Sequence, residues 1–210
     1  MSPRIHHPVF ARLFAVLMRL DDQAVHRDEM LEGLSGRVIE VGAGTGANFG
    51  HYPDTVTEVL AVEPEPYLRG LAVEAAAAAP VPVEVVDGIA HDLPVPDGWA
   101  DAAVSSLVLC SFDEPVQALG EMRRAVRPGG ELRFYEHVRS QHEGSARWQE
   151  RIDVVWPHLF GNCHTSRDSA GSITEAGWAI EQERRLRIGP AGVPNPVAPH
   201  VLGRARNPAD

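Results

Sequence analysis

Apolar and polar positions alternate along this chain in short blocks. Five aliphatic or β-branched runs are each followed by turn residues and a helix-compatible segment, and they cover residues 38–41, 59–62, 83–86, 102–107 and 131–135. Short strands that alternate with helices predict βαβ units and a parallel sheet. Two further strand-like segments follow, at 178–185 and 200–206. We therefore predict an α/β fold, with a mostly parallel sheet and helices on both of its faces.

Glycine and proline mark the ends of the predicted elements. The Pro-Gly-Gly segment 128–130 is predicted to stop a helix over 116–126 and to turn into the fifth strand. Gly177 is predicted to end a helix that starts near Ser166 or Asp168. The Pro-rich segment 189–199 is long for a loop of a compact domain, which favours a functional role for it.

The most apolar stretch near the N-terminus, residues 9–20, has the period of an amphipathic helix. It contains Arg12 and Arg19 and is shorter than the roughly 20 residues of a membrane span, so we expect no stable membrane anchor. A helix that packs on the domain or closes over a pocket is the favoured interpretation, and association with a membrane surface is the alternative. We expect a helical cap over 1–35 and the main domain over 36–210, together one structural domain.

Composition removes several classes of function. A net charge of −10 argues against a nucleic-acid partner, because phosphate binding relies on clustered basic charge. All 19 basic side chains are Arg, so Schiff-base chemistry and P-loop phosphate binding lack their Lys. The two cysteines and the scattered histidines show no metal-ligand or disulfide spacing, so we predict no metal site and a reducing, cytoplasmic location. The oligomeric state stays open.

Glycines at 42, 44 and 46 follow the first predicted strand. Glycine permits positive φ and close approach of a ligand, and this loop falls at the carboxyl end of a strand, where doubly wound sheets bind ligands. The spacing of Gly42, Gly44 and Ala47 also fits a dinucleotide-binding loop. Glu63, 21 residues after Gly42, could hold a ribose hydroxyl in either case.

Glu40 distinguishes the two ligands. A dinucleotide brings a pyrophosphate, which gains nothing from a carboxylate two residues before the glycines. S-adenosylmethionine carries an ammonium and a sulfonium, so a carboxylate beside the loop would stabilise it. We also see no separate substrate domain of the kind that most hydride-transfer enzymes need. We therefore predict S-adenosylmethionine as the cofactor, with a role for Glu40 as a turn or helix-dipole partner as the alternative.

Several segments resemble the class I methyltransferases. Residues 40–46 resemble their first motif, Glu63 their ribose-binding acid, 101–107 their fourth strand and 127–130 the turn before the fifth. The resemblance implies a Rossmann-like sheet of seven strands, with the last strand antiparallel and inserted beside the fifth. Residues 88–94 resemble the segment that lines the adenine, but Ile89 stands where many relatives have an acid, so Asp87 or a backbone group is expected to make that polar contact.

Five segments resemble the methyltransferase-like seven group more narrowly: 44–49 with 52–53, 107–111, 136–138, 148–167 and 199–203. Its animal members are membrane-associated alkyl thiol S-methyltransferases, so the resemblance implies a small-molecule methyl acceptor, with a thiol favoured. Quinone-biosynthesis C-methyltransferases and small-molecule O-methyltransferases share the first motif and remain the alternative. A non-catalytic module that binds S-adenosylmethionine is a second alternative.

The expected cofactor-binding residues come from the glycine loop and the ends of the neighbouring strands. They are Glu40, Gly42, Ala43, Gly44, Gly46, Asn48, Glu63, Pro64, Asp87, Gly88, Ile89, Ser106 and Leu107.

His137 is the candidate catalytic residue, since it lies at the end of the fifth strand and could act as a base or stabilise a thiolate. A hydrogen-bonded structural role is the alternative for it. Cys110 is expected to end the fourth strand as a buried, inert cysteine. His164 and Arg167 are expected to approach the acceptor pocket, with a surface position as the alternative for Arg167.

Overall fold

Seven strands form the sheet in the computed structural model of the protein, which describes residues 11–12, 15, 23–189 and 193–209. They are β1 (Gly36–Val41), β2 (Val56–Val62), β3 (Val83–Val86), β4 (Ala100–Ser106), β5 (Val126–His137), β6 (Ala179–Arg187) and β7 (Pro199–Arg206). Their order is β3-β2-β1-β4-β5-β7-β6. The strands from β3 to β5 pair in parallel, whereas β7 is antiparallel to β5 and to β6. The Rossmann-like sheet that the resemblance implied is confirmed.

Helices cover both faces of this sheet. They are α1 (Ala24–Leu31), α2 (Pro66–Ala76), α3 (Pro115–Ala125), α4 (Glu143–Ile152), α5 (Trp156–Leu159) and α6 (Ser169–Glu175). The helix predicted to start near Ser166 or Asp168 begins after Asp168, whose carboxylate accepts a hydrogen bond from Gly171 N at 3.1 Å. Gly177 follows it with φ +88°, as a helix-ending glycine does.

Alternate residues of the central strands enter two separate cores. Ile39 and Leu132 pack on the face that carries α3 and α6, and that core also contains the fully buried Met122 and Ile173. Val38 and Val59 pack on the other face, with Met30 and Leu31 of α1. A sheet that is covered on both faces explains why its strands read as nearly continuous apolar runs.

The turn before β5 differs from the prediction. The helix predicted over 116–126 ends at Ala125, and Val126 already pairs with Ala100 of β4. The next pair is Glu131 with Ala102, so residues 127–130 form a bulge within one strand that spans Val126–His137. A Cβ at Gly130 would lie 2.4 Å from Val126 Cγ1, so this close approach of backbone to side chain requires glycine.

The predicted helix over 9–20 lies mostly outside the described residues. The three residues of it that are described are helical, and Ala11 and Ala15 are buried beside Leu68 of α2. Residues 190–192 of the predicted loop over 189–199 also lie outside the description. Within the described parts of the chain, we find no helix with the length and apolar character that a membrane crossing requires.

Candidate active site

The glycine loop, residues 42–46, lies at the point where the strand order reverses between β1 and β4, the usual ligand site of an open α/β sheet. Gly42, Gly44 and Gly46 have φ values of +73°, +58° and +78°. A Cβ at Gly42 would lie 2.3 Å from Cγ2 of Val108, which belongs to the loop after β4. Glycine is therefore required here both by the backbone conformation and by the close approach of the two loops.

Two of the cavities beside the glycine loop share Gly42, Val108, Ser111 and Gly161 as lining residues. The small cavity has a volume of about 150 Å³ and the large cavity about 640 Å³. Of the predicted cofactor-binding residues, the small cavity is lined by Glu40, Gly42, Ala43, Gly44, Asn48, Ser106 and Leu107. The large cavity is lined by Gly42, Pro64, Gly88 and Ile89.

Three predicted cofactor-binding residues line neither cavity. Gly46 lines a separate cavity of about 550 Å³, and a Cβ on it would meet Phe49 and Ala75 within 3 Å. Asp87 is exposed and pairs with Arg69 at 3.1 Å, and its contact with the adenine stays a prediction. The third residue, Glu63, accepts a hydrogen bond from the backbone of the glycine loop.

Glu63 joins the end of β2 to the glycine loop. Its Oε2 accepts a hydrogen bond from Gly44 N at 2.8 Å, and its Oε1 accepts one from Glu65 N at 2.9 Å. Burial raises the pKa of Glu63 to about 7, although both backbone hydrogen bonds act in the opposite direction. Each carboxylate oxygen retains a second lone pair, so this side chain can still accept hydrogen bonds from ribose hydroxyls.

Glu40 is buried and belongs to a polar network under the small cavity. Its two oxygens accept hydrogen bonds from Asn48 Nδ2 at 2.8 Å and from the Tyr52 hydroxyl at 2.6 Å. Arg27 of α1 donates to Asn48 Oδ1 at 3.1 Å. Burial raises the pKa of Glu40 to about 7, because these hydrogen bonds and Arg27 only partly compensate the lost hydration. No sequence motif indicated a role for Arg27.

These features fit S-adenosylmethionine. The small cavity places the Glu40 carboxyl beside the loop, where a ligand ammonium would be stabilised. The large cavity offers the apolar side chains of Val62 and Ile89 to a flat ring. Replacing Gly42 by any other residue would fill the space between the glycine loop and the loop after β4.

The loop after β4 is fixed by Glu136, a residue that our sequence reasoning did not single out. Buried Glu136 accepts hydrogen bonds from Ser105 Oγ at 2.8 Å and from the backbone N–H groups of Val108 and Leu109 at 3.2 Å each. Burial raises its pKa to about 7. The signal that could have indicated it is an acidic residue that interrupts an apolar strand.

This loop corrects the predicted end of the fourth strand. The strand ends at Ser106, because Leu107 adopts φ +57° and leaves the sheet direction. Cys110 therefore lies in a 3₁₀ turn, Leu109–Ser111, and not in the strand. The cysteine is buried, as expected.

The segment between α5 and α6 is pinned to the same loop. Asn162 donates to Ser111 O at 2.9 Å and to Asp113 Oδ1 at 2.8 Å, and Arg167 donates to Phe112 O at 2.8 Å. Gly161 and Asn162 line the large cavity opposite Phe112. Arg167 thus supports the cavity wall and lines neither cavity.

His164 does not reach the cavities either. Its Nδ1 lies 2.8 Å from Asp153 Oδ2, and it lines neither of them.

His137 contacts a cysteine and lies outside the lining of both cavities. Its Nε2 lies 3.0 Å from Cys163 Sγ, and the residue is only 6% exposed. Cys110 Sγ completes a group of three ligand-type atoms that lie within 4.8 Å of one another, which we call the Cys–His cluster. The Cys110 thiol and then the His137 ring lower the pKa of Cys163 to about 5, whereas Cys163 and burial raise the pKa of Cys110.

Comparisons with known proteins agree with this geometry. A family model described as "Methyltransferase domain" matches residues 39–134. The chain is 34% identical over 188 residues to the thiol S-methyltransferase TMT1B of Homo sapiens, which covers 83% of this chain and 73% of that protein. It is 34% identical over 96 residues to the demethylmenaquinone methyltransferase of Renibacterium salmoninarum, which covers 46% of this chain and 39% of that protein.

The fold is similar to that of geranyl diphosphate methyltransferase, solved in complex with S-adenosylmethionine. The TM-score is 0.67 at 17% identity, and the alignment covers 94% of this chain and 89% of that chain. This level of identity supports the fold alone.

Proposed function

The chain belongs to the S-adenosylmethionine-dependent methyltransferases, in the family that includes the thiol S-methyltransferases, and we propose that its own methyl acceptor is a small-molecule thiol. One observation carries the proposal. The similarity to the thiol S-methyltransferase extends over 83% of the chain, well beyond the 39–134 segment that methyltransferases share. The similarity to the quinone-pathway enzyme covers only 46%.

The bound cofactor supplies an electrophilic methyl group on a sulfonium. The glycine loop, Glu63 and the Glu40 network hold it in position, so the chain contributes mainly orientation. A thiol with a pKa near 8.5 needs only about 2 kcal/mol to form its thiolate at pH 7, far less than a hydroxyl needs. The apolar wall of the large cavity, with Phe112 and Pro157, suits the hydrocarbon part of such a thiol and excludes water.

The test compares three methyl acceptors, two of which differ only in sulfur against oxygen. The full chain is incubated with S-adenosylmethionine and either an alkyl thiol, the alcohol of the same carbon skeleton, or a phenol, and products are identified by mass spectrometry. We expect the thioether from the thiol and no ether from the alcohol. Methylation of the phenol without methylation of the thiol would overturn the proposal in favour of O-methyl transfer.

The direct catalytic role of His137 stays a prediction. A cytoplasmic location and the absence of a nucleic-acid partner rest on composition and also stay predictions.

A further inference from the structure

Three residues that are far apart in sequence meet in the Cys–His cluster. Cys110 comes from the turn after β4, His137 is the last residue of β5, and Cys163 comes from the segment between α5 and α6. Our expectation of no metal site rested on spacing along the chain, and that spacing could not show this convergence. Each residue offers one donor atom, and the three atoms lie within 4.8 Å of one another.

The donor set and its dimensions suit zinc. Zinc binds thiolate sulfur at about 2.3 Å and imidazole nitrogen at about 2.1 Å, so tetrahedral donors lie about 3.6–3.8 Å apart. The cluster has one distance of 3.0 Å and an upper limit of 4.8 Å, so movements of less than about 1 Å would bring it to that geometry. Soft thiolates with an imidazole favour zinc over magnesium or calcium.

The backbone around the cluster is already fixed. His164 N donates to Cys110 O at 2.9 Å, which ties the two cysteine-bearing segments together. Glu136 and Arg167 hold the turn that carries Cys110. A site with donors on restrained segments loses little entropy when a metal binds.

The chain neighbours of two cluster residues line the large cavity, although the three donor residues themselves do not. Ser111 follows Cys110, and Asn162 precedes Cys163, and both of these neighbours line the cavity. Three protein donors leave one position of a tetrahedral zinc ion for an exchangeable ligand, as in catalytic zinc sites. We propose that Cys110, His137 and Cys163 bind Zn²⁺ and that the fourth ligand is the sulfur of the acceptor thiol, which rests on the thiol acceptor proposed above.

The chemistry balances without any oxidant or reductant. The acceptor thiol loses its proton to solvent when its sulfur binds the zinc. That sulfur then forms a bond to the methyl carbon as the carbon–sulfonium bond breaks, and the electron pair of the broken bond stays on the cofactor sulfur. The product is a neutral thioether, a weaker zinc ligand than a thiolate, and it leaves the site. Zinc does not change its oxidation state.

Metal binding is measured separately from activity. The reduced full chain, stripped with a chelator, is titrated with Zn²⁺ for metal analysis and with Co²⁺ for its absorption spectrum. We expect one metal per chain and a tetrahedral cobalt spectrum with thiolate charge transfer. Cys110→Ser, Cys163→Ser and His137→Asn are each expected to weaken metal binding by at least about 100-fold. His142→Asn, at an exposed position outside the cluster, is the matched control and is expected to bind normally.

A second measurement addresses the fourth ligand. An alkyl thiol added to the cobalt protein is expected to change the spectrum, and the matched alcohol is not. The proposal is overturned if the reduced wild-type chain binds no stoichiometric metal, if the Cys110→Ser/Cys163→Ser double variant binds as well as wild type, or if the thiol leaves the spectrum unchanged. Thiol methylation by metal-free protein would overturn the zinc–acceptor bond and leave the proposed thiol acceptor standing, whereas metal binding without any thiol methylation would overturn the acceptor and the fourth ligand and leave only the three-residue metal site.

Discussion

The two sides of the active site are built differently. On the cofactor side, the glycine loop follows directly from β1, and Glu40, only eight residues from Asn48, shapes it from within one short stretch of chain. On the side where we propose that the acceptor binds, Asn162 and Arg167 reach Ser111 and Phe112 across 51 and 55 residues of sequence. The cofactor side therefore depends on backbone conformation, and the acceptor side depends on long-range hydrogen bonds between side chains and loops.

The substitution with the largest expected effect on cofactor binding is at Gly42. Gly42→Ala places a methyl group 2.3 Å from Val108 Cγ2 at a φ of +73°. Left-handed strain costs of order 1–3 kcal/mol and overpacking adds about as much, so cofactor affinity should fall at least about 100-fold. Calorimetry measures this cofactor affinity. Gly50→Ala, where a Cβ meets nothing within 4 Å, is the control and should bind normally; equal affinity for both variants would contradict the close approach of the two loops.

Glu63 tests the same side through a side chain. Glu63→Ala removes the acceptor for Gly44 N and the acceptor that we predict for the ribose hydroxyls, and a charge-assisted hydrogen bond is worth about 1.5–3 kcal/mol. Cofactor affinity should fall at least about tenfold by calorimetry. Glu58→Ala, an exposed acid on the same strand, is the matched control. Unchanged affinity in Glu63→Ala would remove Glu63 from the cofactor site.

A substitution at Asn162 tests whether acceptor binding can be weakened without weakening cofactor binding. Asn162→Gly keeps the positive φ of 64° but loses the hydrogen bonds to Ser111 and Asp113, each worth about 0.5–1.5 kcal/mol. The KM for the acceptor should rise about fivefold, while the Kd for the cofactor stays within about twofold. Steady-state kinetics and calorimetry measure the two constants. A change confined to the cofactor Kd would show that the sides are not separable in this way.

The smallest expected effect is a pH dependence from Glu40. Its pKa is raised from 4.5 to about 7 in the folded protein, so its contribution to stability is fully present below pH 4.5 and is lost as the pH rises through about 7. A bound ammonium favours the carboxylate, so cofactor affinity should rise a few-fold from pH 6 to pH 8. Calorimetry at several pH values, compared with the isosteric Glu40→Gln, isolates this group. An equal slope in both proteins would contradict the assignment.

Predictability from sequence follows the same division. The glycine loop and the alternation of strands and helices were predictable, because their signals are local motifs and periodicity, whereas the place of β7 beside β5 came from the family resemblance. The ribose-binding role of Glu63 stays a prediction. The Cys–His cluster was not, since its members lie 27 and 26 residues apart and only the sheet topology brings them together. The end of β4 at Ser106 was missed for a similar reason, because Glu136 on the neighbouring strand holds the loop that follows.

The antiparallel insertion of β7 also bears on the order of assembly. β7 pairs with β5 from Glu131 with Arg206 to His137 with His200, across about 60 to 75 intervening residues, whereas β1 and β2 are joined by a short connection. Pairings of high sequence separation form late because loop closure must precede them. During synthesis the part of the sheet that carries the glycine loop can thus fold before β7 pairs with the edge of β5. A nascent chain halted before β7 should have a formed glycine loop and an exposed edge on β5. Such an unpaired strand edge can aggregate with other chains or bind a chaperone.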